Sequence, residues 1–436
     1  MDFKLLNKNL SEKDVLIEAQ ACLNCPKPSC VLGCPIQNNI PAFIKEVKMG
    51  NFLNAYKIIS EKSLLPQICG ALCPHEKQCQ GHCIKMKLGK PVSIGKIERF
   101  VGEWAVENGL DRNIAKVKNN KDVLVVGSGP AGISFSYHML KNGYSVTVVE
   151  KENYLGGVLK TGIPSFRFDN ESLDKIIDSL KYLGCEFKLN TVFGKDITFD
   201  EALEKYSYVF LATGVKNPNK MNVPGLDLKG IVYADEFLKH INLSRCDENY
   251  HKNISGYGEH IIVVGGGNVA MDAARCATRL KDTKDVTIVY RRTENEMPAC
   301  KAELDETKAE NINFMPLTNP VRFIGDSKID MVECAKMVLS DPDESGRRRP
   351  IESNDAHIYL KADTVVLALG YSNEIIFDGL DVDKWKGIIV DENNMTSIDR
   401  VYAGGDNVTG ALTIVSAMKA GYNAAKSIIE RDEKNE

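Results

Sequence analysis

Eight cysteines fall between Cys22 and Cys83 in two runs, Cys22-x2-Cys25-x4-Cys30-x3-Cys34-Pro35 and Cys69-x3-Cys73-Pro74-x4-Cys79-x3-Cys83. A segment so rich in thiols folds either as a disulfide scaffold or round metal. Disulfide scaffolds are mostly small secreted domains that follow a signal sequence. This chain has 436 residues and 13 cysteines, an odd number. It opens on Met1-Asp-Phe-Lys-Leu-Leu-Asn-Lys8, without the continuous apolar stretch of a signal peptide. No apolar run approaches the ~18 residues that span a membrane. A cytoplasmic metalloprotein is the expectation. Soft thiolates suit iron in a cubane cluster, and short spacings let several sulfurs converge from one loop. The x4 and x3 gaps and the Cys-Pro ends favour iron–sulfur over zinc, for which two four-cysteine sites are the competing arrangement.

Residues 1–115 combine these runs with helical apolar spacing: Ile40, Phe43, Ile44, Val47, then Phe52, Ala55, Tyr56, Ile59. The polar segment Lys116–Asp122 reads as a linker. Beyond it, strand and helix patterns alternate to the C-terminus, which predicts parallel sheets. The length suffices for about three domains. A net charge of −4 over such a length argues against a nucleic-acid surface.

Two apolar strands end in glycine clusters that open helices. The first is Val123-Leu-Val-Val126 followed by Gly127-Ser-Gly129-Pro130-Ala131-Gly132. Glycines here permit a tight turn and close approach of a pyrophosphate to the helix N-terminus. The next strand, Ser145–Val149, ends in Glu150, placed to bind the ribose hydroxyls of an adenine nucleotide. The second is Ile261-Ile-Val-Val264 followed by Gly265-Gly-Gly267-Asn268-Val269-Ala270. Its next strand, Val286–Val289, is followed by Tyr290, Arg291 and Arg292 instead of an acid. Arginines there suit a 2′-phosphate through charge-assisted contacts, so this site is expected to take NADP. The arginine run Arg347–Arg349 reads as part of a solvated hairpin. The seven histidines, His75 and His82 among them, show no ligand spacing. The five cysteines beyond Cys83 form no close pair of the kind that disulfide reductases use.

Together the two cysteine runs and these motifs resemble the small (beta) subunit of NADPH-dependent glutamate synthase and its relatives. The resemblance also rests on Gly156-Gly157, Thr161-Gly-Ile-Pro-Ser-Phe-Arg167, Ala212-Thr213-Gly214, Glu296-Met-Pro298 and Gly404-Gly405-Asp406. Within the family the chain looks closest to the large subunit of NADH-dependent ferredoxin:NADP oxidoreductase and the sulfide dehydrogenase flavoprotein chain. The N-terminal part of dihydropyrimidine dehydrogenase is also similar. The resemblance implies an α/β architecture: a helical domain with two 4Fe–4S clusters, residues 1–115, then two Rossmann-like folds. FAD would occupy 116–215 with 371–436, and NADPH an inserted 216–370. It assigns one cluster to Cys22, Cys25, Cys30 and Cys83. The other falls to Cys34, Cys73, Cys79 and Glu98, with Cys69 spare; Cys69 as ligand in place of Glu98 is the simpler alternative.

Gly157, Arg167, Thr213 and Gly214 belong to the implied FAD site. So do Gly405 and Asp406, suited to the ribityl chain, and Thr413, near the start of a helix expected at about Ala411. That helix would aim its positive end at the flavin pyrimidine ring. No protein acid or base is required for hydride transfer, so no catalytic side chain is assigned. The leading reading is an electron-transfer subunit working between NADPH, FAD and the clusters. Its expected partner is a second subunit, either FMN-bearing and glutamate synthase-type or carrying flavin and a 2Fe–2S cluster, or else ferredoxin. A self-sufficient NADPH-dependent reductase of a small acceptor such as polysulfide is the alternative. A structural iron–sulfur protein with inactive nucleotide folds is weaker still, because both glycine clusters are intact.

Overall fold

The computed structural model describes residues 10–110, 118–244 and 256–435, apart from Ser345, Arg347, Ile375, Ile376 and Asp378. The N-terminal residues 1–9, the domain boundary at 115, the start of the expected linker, Cys246 and Arg347 lie outside the described residues. The chain forms two compact units. One holds Pro218–Gly370 with Lys160–Ser165. The other holds the N-terminal helices together with the first glycine cluster and the C-terminal residues from Tyr371.

In the larger unit, helices Ile40–Lys48 and Phe52–Ser60 carry the two apolar stripes legible in the sequence. All eight stripe residues are buried, and they meet Ile94, Ile97 and Val101 of the helix Ile94–Glu107 in one core. Cys79 is buried in that core, and Cys22, Cys30, Cys34 and Cys83 pack against it. The thiol-bearing loops therefore complete the packing that these short helices begin.

The same unit contains a five-stranded parallel sheet in the order Val401–Ala403, Tyr208–Leu211, Asp122–Val126, Ser145–Val149, Glu186–Lys188. The helix Pro130–Lys141 starts directly at the first glycine cluster, with Pro130 in its first turn, where a missing N–H costs nothing. It packs against the C-terminal helix Ile414–Asn435. That helix starts slightly later than its expected place near Ala411. A short helix, Asp406–Thr409, comes first and is ended by Gly410 at φ +72°. Asp432, near the far end of the long helix, is buried. It accepts from the hydroxyls of Tyr144 at 2.5 Å and Tyr208 at 2.6 Å and pairs with Lys121 at 2.9 Å. This ties the helix to the sheet.

The smaller unit holds a second parallel sheet: Ile231–Tyr233, Thr364–Leu367, His260–Val264, Asp285–Val289, Asn313–Met315. Its glycine helix, Asn268–Thr278, carries Arg275, whose side chain has no exposure. Arg275 meets Glu303 at 3.2 Å, Glu306 at 2.8 Å and Glu310 at 3.0 Å, and Arg279 also pairs with Glu310. This cation network holds the helix Lys301–Ala309 against the glycine helix. The expectation of parallel strands throughout fails for residues 318–361. Thr318–Ile324, Met331–Pro342, Arg348–Glu352 and Ile358–Lys361 form an antiparallel sheet. The links between these strands are too short for a crossover helix, so only hairpin pairing is open to them.

Each unit supplies a stability test. Arg275→Leu should leave three carboxylates facing one another without their shared cation. The cost should be about 3 kcal/mol or more, read as a lower denaturation midpoint, with Arg275→Lys restoring only part. Burial pushes the Asp432 carboxyl up, but the Tyr144 and Tyr208 hydroxyls and Lys121 outweigh it and hold the carboxyl below its ordinary value. Its contribution is therefore full above the unfolded value of about 3.9 and fades as pH falls through the lowered one. Asp432→Asn should cost roughly 2 kcal/mol at neutral pH and flatten the acid limb of the stability profile.

Candidate functional site

The N-terminal thiols form two sets. Cys22, Cys25, Cys30 and Cys83 line one cavity, open to solvent, with Ile40, Ile44, Val92 and Ile94 as its apolar wall. Lys48 donates to the Cys22 carbonyl at 2.5 Å and Lys85 to the Ala21 carbonyl at 3.1 Å, bracing the loop that presents the first thiols. The Cys30 thiol is pushed up to about 11, by burial first and then by the neighbouring Cys22 and Cys83. Bare thiolates are disfavoured here, and a metal would have to supply the compensating charge.

The second set gathers Cys34, Cys73, Cys79 and Glu98. Cys34 is pushed up to about 11 by burial, with Glu98 and Cys69 adding to it. Burial and the same carboxylate raise Cys79. Cys73 is raised first by its contact with Cys69, then by burial. Glu98 is itself pushed up to about 8 by burial, with the Asn38 side chain acting against it. Cys69 is buried, with its sulfur 3.9 Å from the Ser63 hydroxyl and 3.6 Å from the Met418 sulfur. All five candidates thus meet, Cys69 included. Among the described residues no three histidine, cysteine or carboxylate side chains converge tightly enough to hold a single metal ion.

The first glycine cluster forms a cradle at the ends of its strands. Gly127 has φ +102°, and a Cβ there would stand 2.5 Å from the Ala212 carbonyl oxygen. A Cβ on Gly132 would stand 2.1 Å from the Gly127 oxygen, and one on Gly157 3.1 Å from Gly129 Cα. Gly405, at φ +92°, lies against Ala131, which brings Asp406 to the same turn. Glu150 is buried and accepts from the Ser128 N–H at 3.0 Å, the Ser128 hydroxyl at 2.7 Å and the Glu152 N–H at 3.2 Å. A carboxylate has about four acceptor positions, so capacity for a ribose hydroxyl remains. The buried Thr213 hydroxyl has no hydrogen-bond partner among the described residues. An orphaned polar atom in a cradle that excludes Cβ atoms fits a polar, close-lying ligand such as a dinucleotide. Burial raises Asp406, against the Leu412 N–H, which donates to it. Thr413 caps the C-terminal helix through the Ser416 N–H at 3.3 Å. Arg167 lies half-buried just before the helix Asn170–Tyr182.

At the second glycine cluster, Gly265 has φ +152° and a Cβ there would stand 2.4 Å from the Ala368 oxygen. The Tyr290 ring covers Gly266, and its hydroxyl donates to the Glu296 carbonyl at 2.8 Å. Asn268 is turned inward: its Oδ1 accepts from the Cys300 N–H at 2.8 Å and its Nδ2 lies 3.4 Å from the Cys300 sulfur. Val269 remains partly exposed, and Ala270 is buried. Arg291 is exposed, whereas Arg292 donates to the Arg348 carbonyl at 3.1 Å. The two arginines are therefore not equivalent.

Sequence reasoning missed Ser128, which links Glu150 to the Gly156 N–H at 3.1 Å, and the bracing lysines Lys48 and Lys85. The variable slot of the glycine motif is the one signal that singles out Ser128. Nothing local marks either lysine. Burial lowers His75, against a hydrogen bond with the Cys69 backbone, and His82 faces the Gln78 carbonyl.

A family described as pyridine nucleotide-disulphide oxidoreductase matches residues 121–422. One described as dihydropyrimidine dehydrogenase domain II, 4Fe-4S cluster, matches residues 1–110. The glutamate synthase (NADPH) small chain of Escherichia coli is 31% identical over 98% of this chain and 94% of its own length. The NADP(+)-dependent formate dehydrogenase subunit beta of Moorella thermoacetica is 35% identical over 92% of this chain, which spans only 59% of that relative. FprA of Mycobacterium tuberculosis, solved with NADPH, shares the fold with a TM-score of 0.60 at 21% identity, covering 72% of this chain and 85% of its own. The chain belongs to the family of the NADPH-dependent glutamate synthase small chain, oxidoreductases that join FAD- and NADP-binding folds to a 4Fe–4S domain.

Proposed function

We propose that this chain moves electrons between NADPH and two 4Fe–4S clusters through FAD, as the electron-transfer subunit of a larger assembly. The observation that carries this reading is the pairing of two thiol sets with a dinucleotide cradle in one compact unit. The functional division is 1–115 for the clusters, 116–215 with 371–436 for FAD, and 216–370 for NADPH. Several relatives are named as subunits, which supports a partner; a second flavin- or iron–sulfur-bearing subunit, or ferredoxin, fits the chemistry. A cytoplasmic setting suits it, since the described cysteines are all free.

FAD supplies two-electron chemistry toward the nicotinamide and one-electron chemistry toward the clusters. The protein's task is positioning. The N–H groups of Gly129, Ala131 and Gly132 would receive the FAD pyrophosphate, with Gly127 and Pro130 shaping the turn and Glu150 and Thr213 on the ligand's polar groups. Gly157, Arg167 and Gly214 would line the same site, and Gly405, Asp406 and the helix capped by Thr413 would hold the flavin end. Gly265, Gly267, Val269 and Ala270 would receive the NADPH pyrophosphate. Asn268 would act from behind, by fixing Cys300. Cys22, Cys25, Cys30 and Cys83 would hold one cluster, and Cys34, Cys73, Cys79 and Glu98 the other.

Anaerobically purified protein should contain about eight irons per chain. Glu98→Ala should change the electron paramagnetic resonance of one cluster, while Cys69→Ala leaves both spectra in place; the reverse pattern would make Cys69 the ligand. For the nucleotide, Arg291→Ala should raise the Michaelis constant for NADPH about tenfold. Charge-assisted bonds contribute roughly 1.5–3 kcal/mol, and exposure screens part of that. Arg292→Ala should have the smaller effect, because its guanidinium is already held by the Arg348 carbonyl. NADH kinetics should barely move in either variant. Equal use of NADH and NADPH by the unmodified protein would remove the assignment.

A further inference from the structure

The turn between Cys34 and the helix Ile40–Lys48 is drawn tight. The Gln37 N–H donates to the Cys34 carbonyl at 2.9 Å, and Gln37 takes φ +52°. Lys62 donates to the Gln37 carbonyl at 2.9 Å, and the Ile40 N–H to the Asn38 carbonyl at 2.8 Å. Gln37 and Asn39 are exposed, whereas Asn38 between them is only 2% exposed. Asn38 does not cap the helix, whose N-cap is Asn39. Burying a primary amide is costly unless its hydrogen bonds are made. Yet neither end of the Asn38 amide has a hydrogen-bond partner among the described residues.

Two groups of the second thiol set surround this residue. Burial raises the Cys34 thiol, and the backbone N–H groups of Asn38 and Ile36 act against that rise. Burial raises the Glu98 carboxyl, and the Asn38 side chain acts against it there too. The approach to Glu98 is looser than a closed hydrogen bond. Glu98 stands on a different element, the helix Ile94–Glu107. A carboxylate that gives one oxygen to a metal keeps the other as an acceptor, which only a donor such as an amide N–H can meet. Ligating carboxylates are commonly held by hydrogen bonds of this kind from outside the ligand set.

We propose that Asn38 is a positioning residue for the second metal site: its side-chain amide donates to the Glu98 carboxylate and orients it as a ligand. Its backbone N–H supports Cys34 at the same time, so one turn governs two ligands from separate elements. The proposal rests on the assignment of Glu98 above and adds the residue that holds it in place. Asn38 acts through Glu98 and is not itself a ligand. A donor on the outer oxygen draws negative charge away from the ligand set, and such hydrogen bonds are among the levers on a cluster's reduction potential. Removing the donor therefore lowers the potential of the second cluster and leaves the first unchanged.

The test uses the holoprotein, followed by electron paramagnetic resonance during a redox titration and by iron loss to a ferrous chelator. Asn38→Leu keeps the bulk of the side chain and removes the donor. The second cluster is identified as the one whose resonance Glu98→Ala alters. In Asn38→Leu that cluster should titrate at a lower potential and lose iron about tenfold faster. The resonance and potential of the first cluster, and the flavin content, should not move. Added to Glu98→Ala, Asn38→Leu should bring no further change, because its effect runs through Glu98. Should Asn38→Leu assemble no second cluster, Asn38→Gln, which restores an N–H donor, should assemble one. A second cluster unchanged in Asn38→Leu would overturn the proposal while Glu98 stays a ligand. So would a further change in the Glu98→Ala protein, loss of both clusters or of flavin from Asn38→Leu, or failure of Asn38→Gln to restore a lost cluster. Glu98→Ala with both resonances in place would instead remove the ligand assignment, and the proposal with it.

Discussion

The larger unit is organised by the close packing of the helix Pro130–Lys141 against the C-terminal helix Ile414–Asn435. Gly421 permits it: a Cβ there would stand 2.3 Å from the Ala131 oxygen and 2.9 Å from the Phe135 nitrogen. The Ser134 hydroxyl donates to the Met418 carbonyl at 2.9 Å across the same contact, and Asp432 anchors the far end. Two consequences follow from one interface. Gly405 and Asp406, just before the C-terminal helix, are carried to the first glycine turn. Met418 is carried to Cys69, beside the second thiol set. A chain with alanine at 421 would have to separate the helices and would loosen both.

Electrostatics divides the work of the two nucleotide folds differently. In the first fold a single buried carboxylate, Glu150, organises the glycine turn through Ser128. In the second the organising charge is cationic and lies behind the turn: Arg275, surrounded by Glu303, Glu306 and Glu310. That network fixes the helix whose preceding residue, Cys300, receives Asn268. Both turns are held in shape from inside, which leaves their outward N–H groups free to meet a ligand already oriented. Preorganisation of this kind lowers the cost of ordering on binding.

The thiols illustrate a complementary economy. The short helices of this region share one core built from their apolar stripes. Cysteine side chains fill the remaining space, yet burial and mutual proximity raise the thiols of Cys30, Cys34, Cys73 and Cys79. Metal would relieve that conflict by holding them as thiolates.

Much of the fold was legible because its signals are local. A strand ending in Gly127-Ser-Gly129 and another ending in Gly265-Gly-Gly267 need only a few neighbouring residues to declare themselves, and both parallel sheets grew from them. The apolar stripes at 40–47 and 52–59 likewise fixed which helix faces are buried. What the sequence could not decide involves partners far apart in the chain. The spacing of the cysteines left their grouping open; the fold brings Cys83 to Cys22 and Cys30, and Glu98 to Cys34. The identical-looking pair Arg291 and Arg292 became one exposed cation and one held by the Arg348 carbonyl, because a hairpin fifty-odd residues away in sequence folds back onto it. Asn268, read as a ligand contact, also meets Cys300 through both ends of its side-chain amide. Local pattern determined which elements form, since their periods and glycine turns are set by nearest neighbours. Tertiary packing alone decided which polar atoms remain free to act.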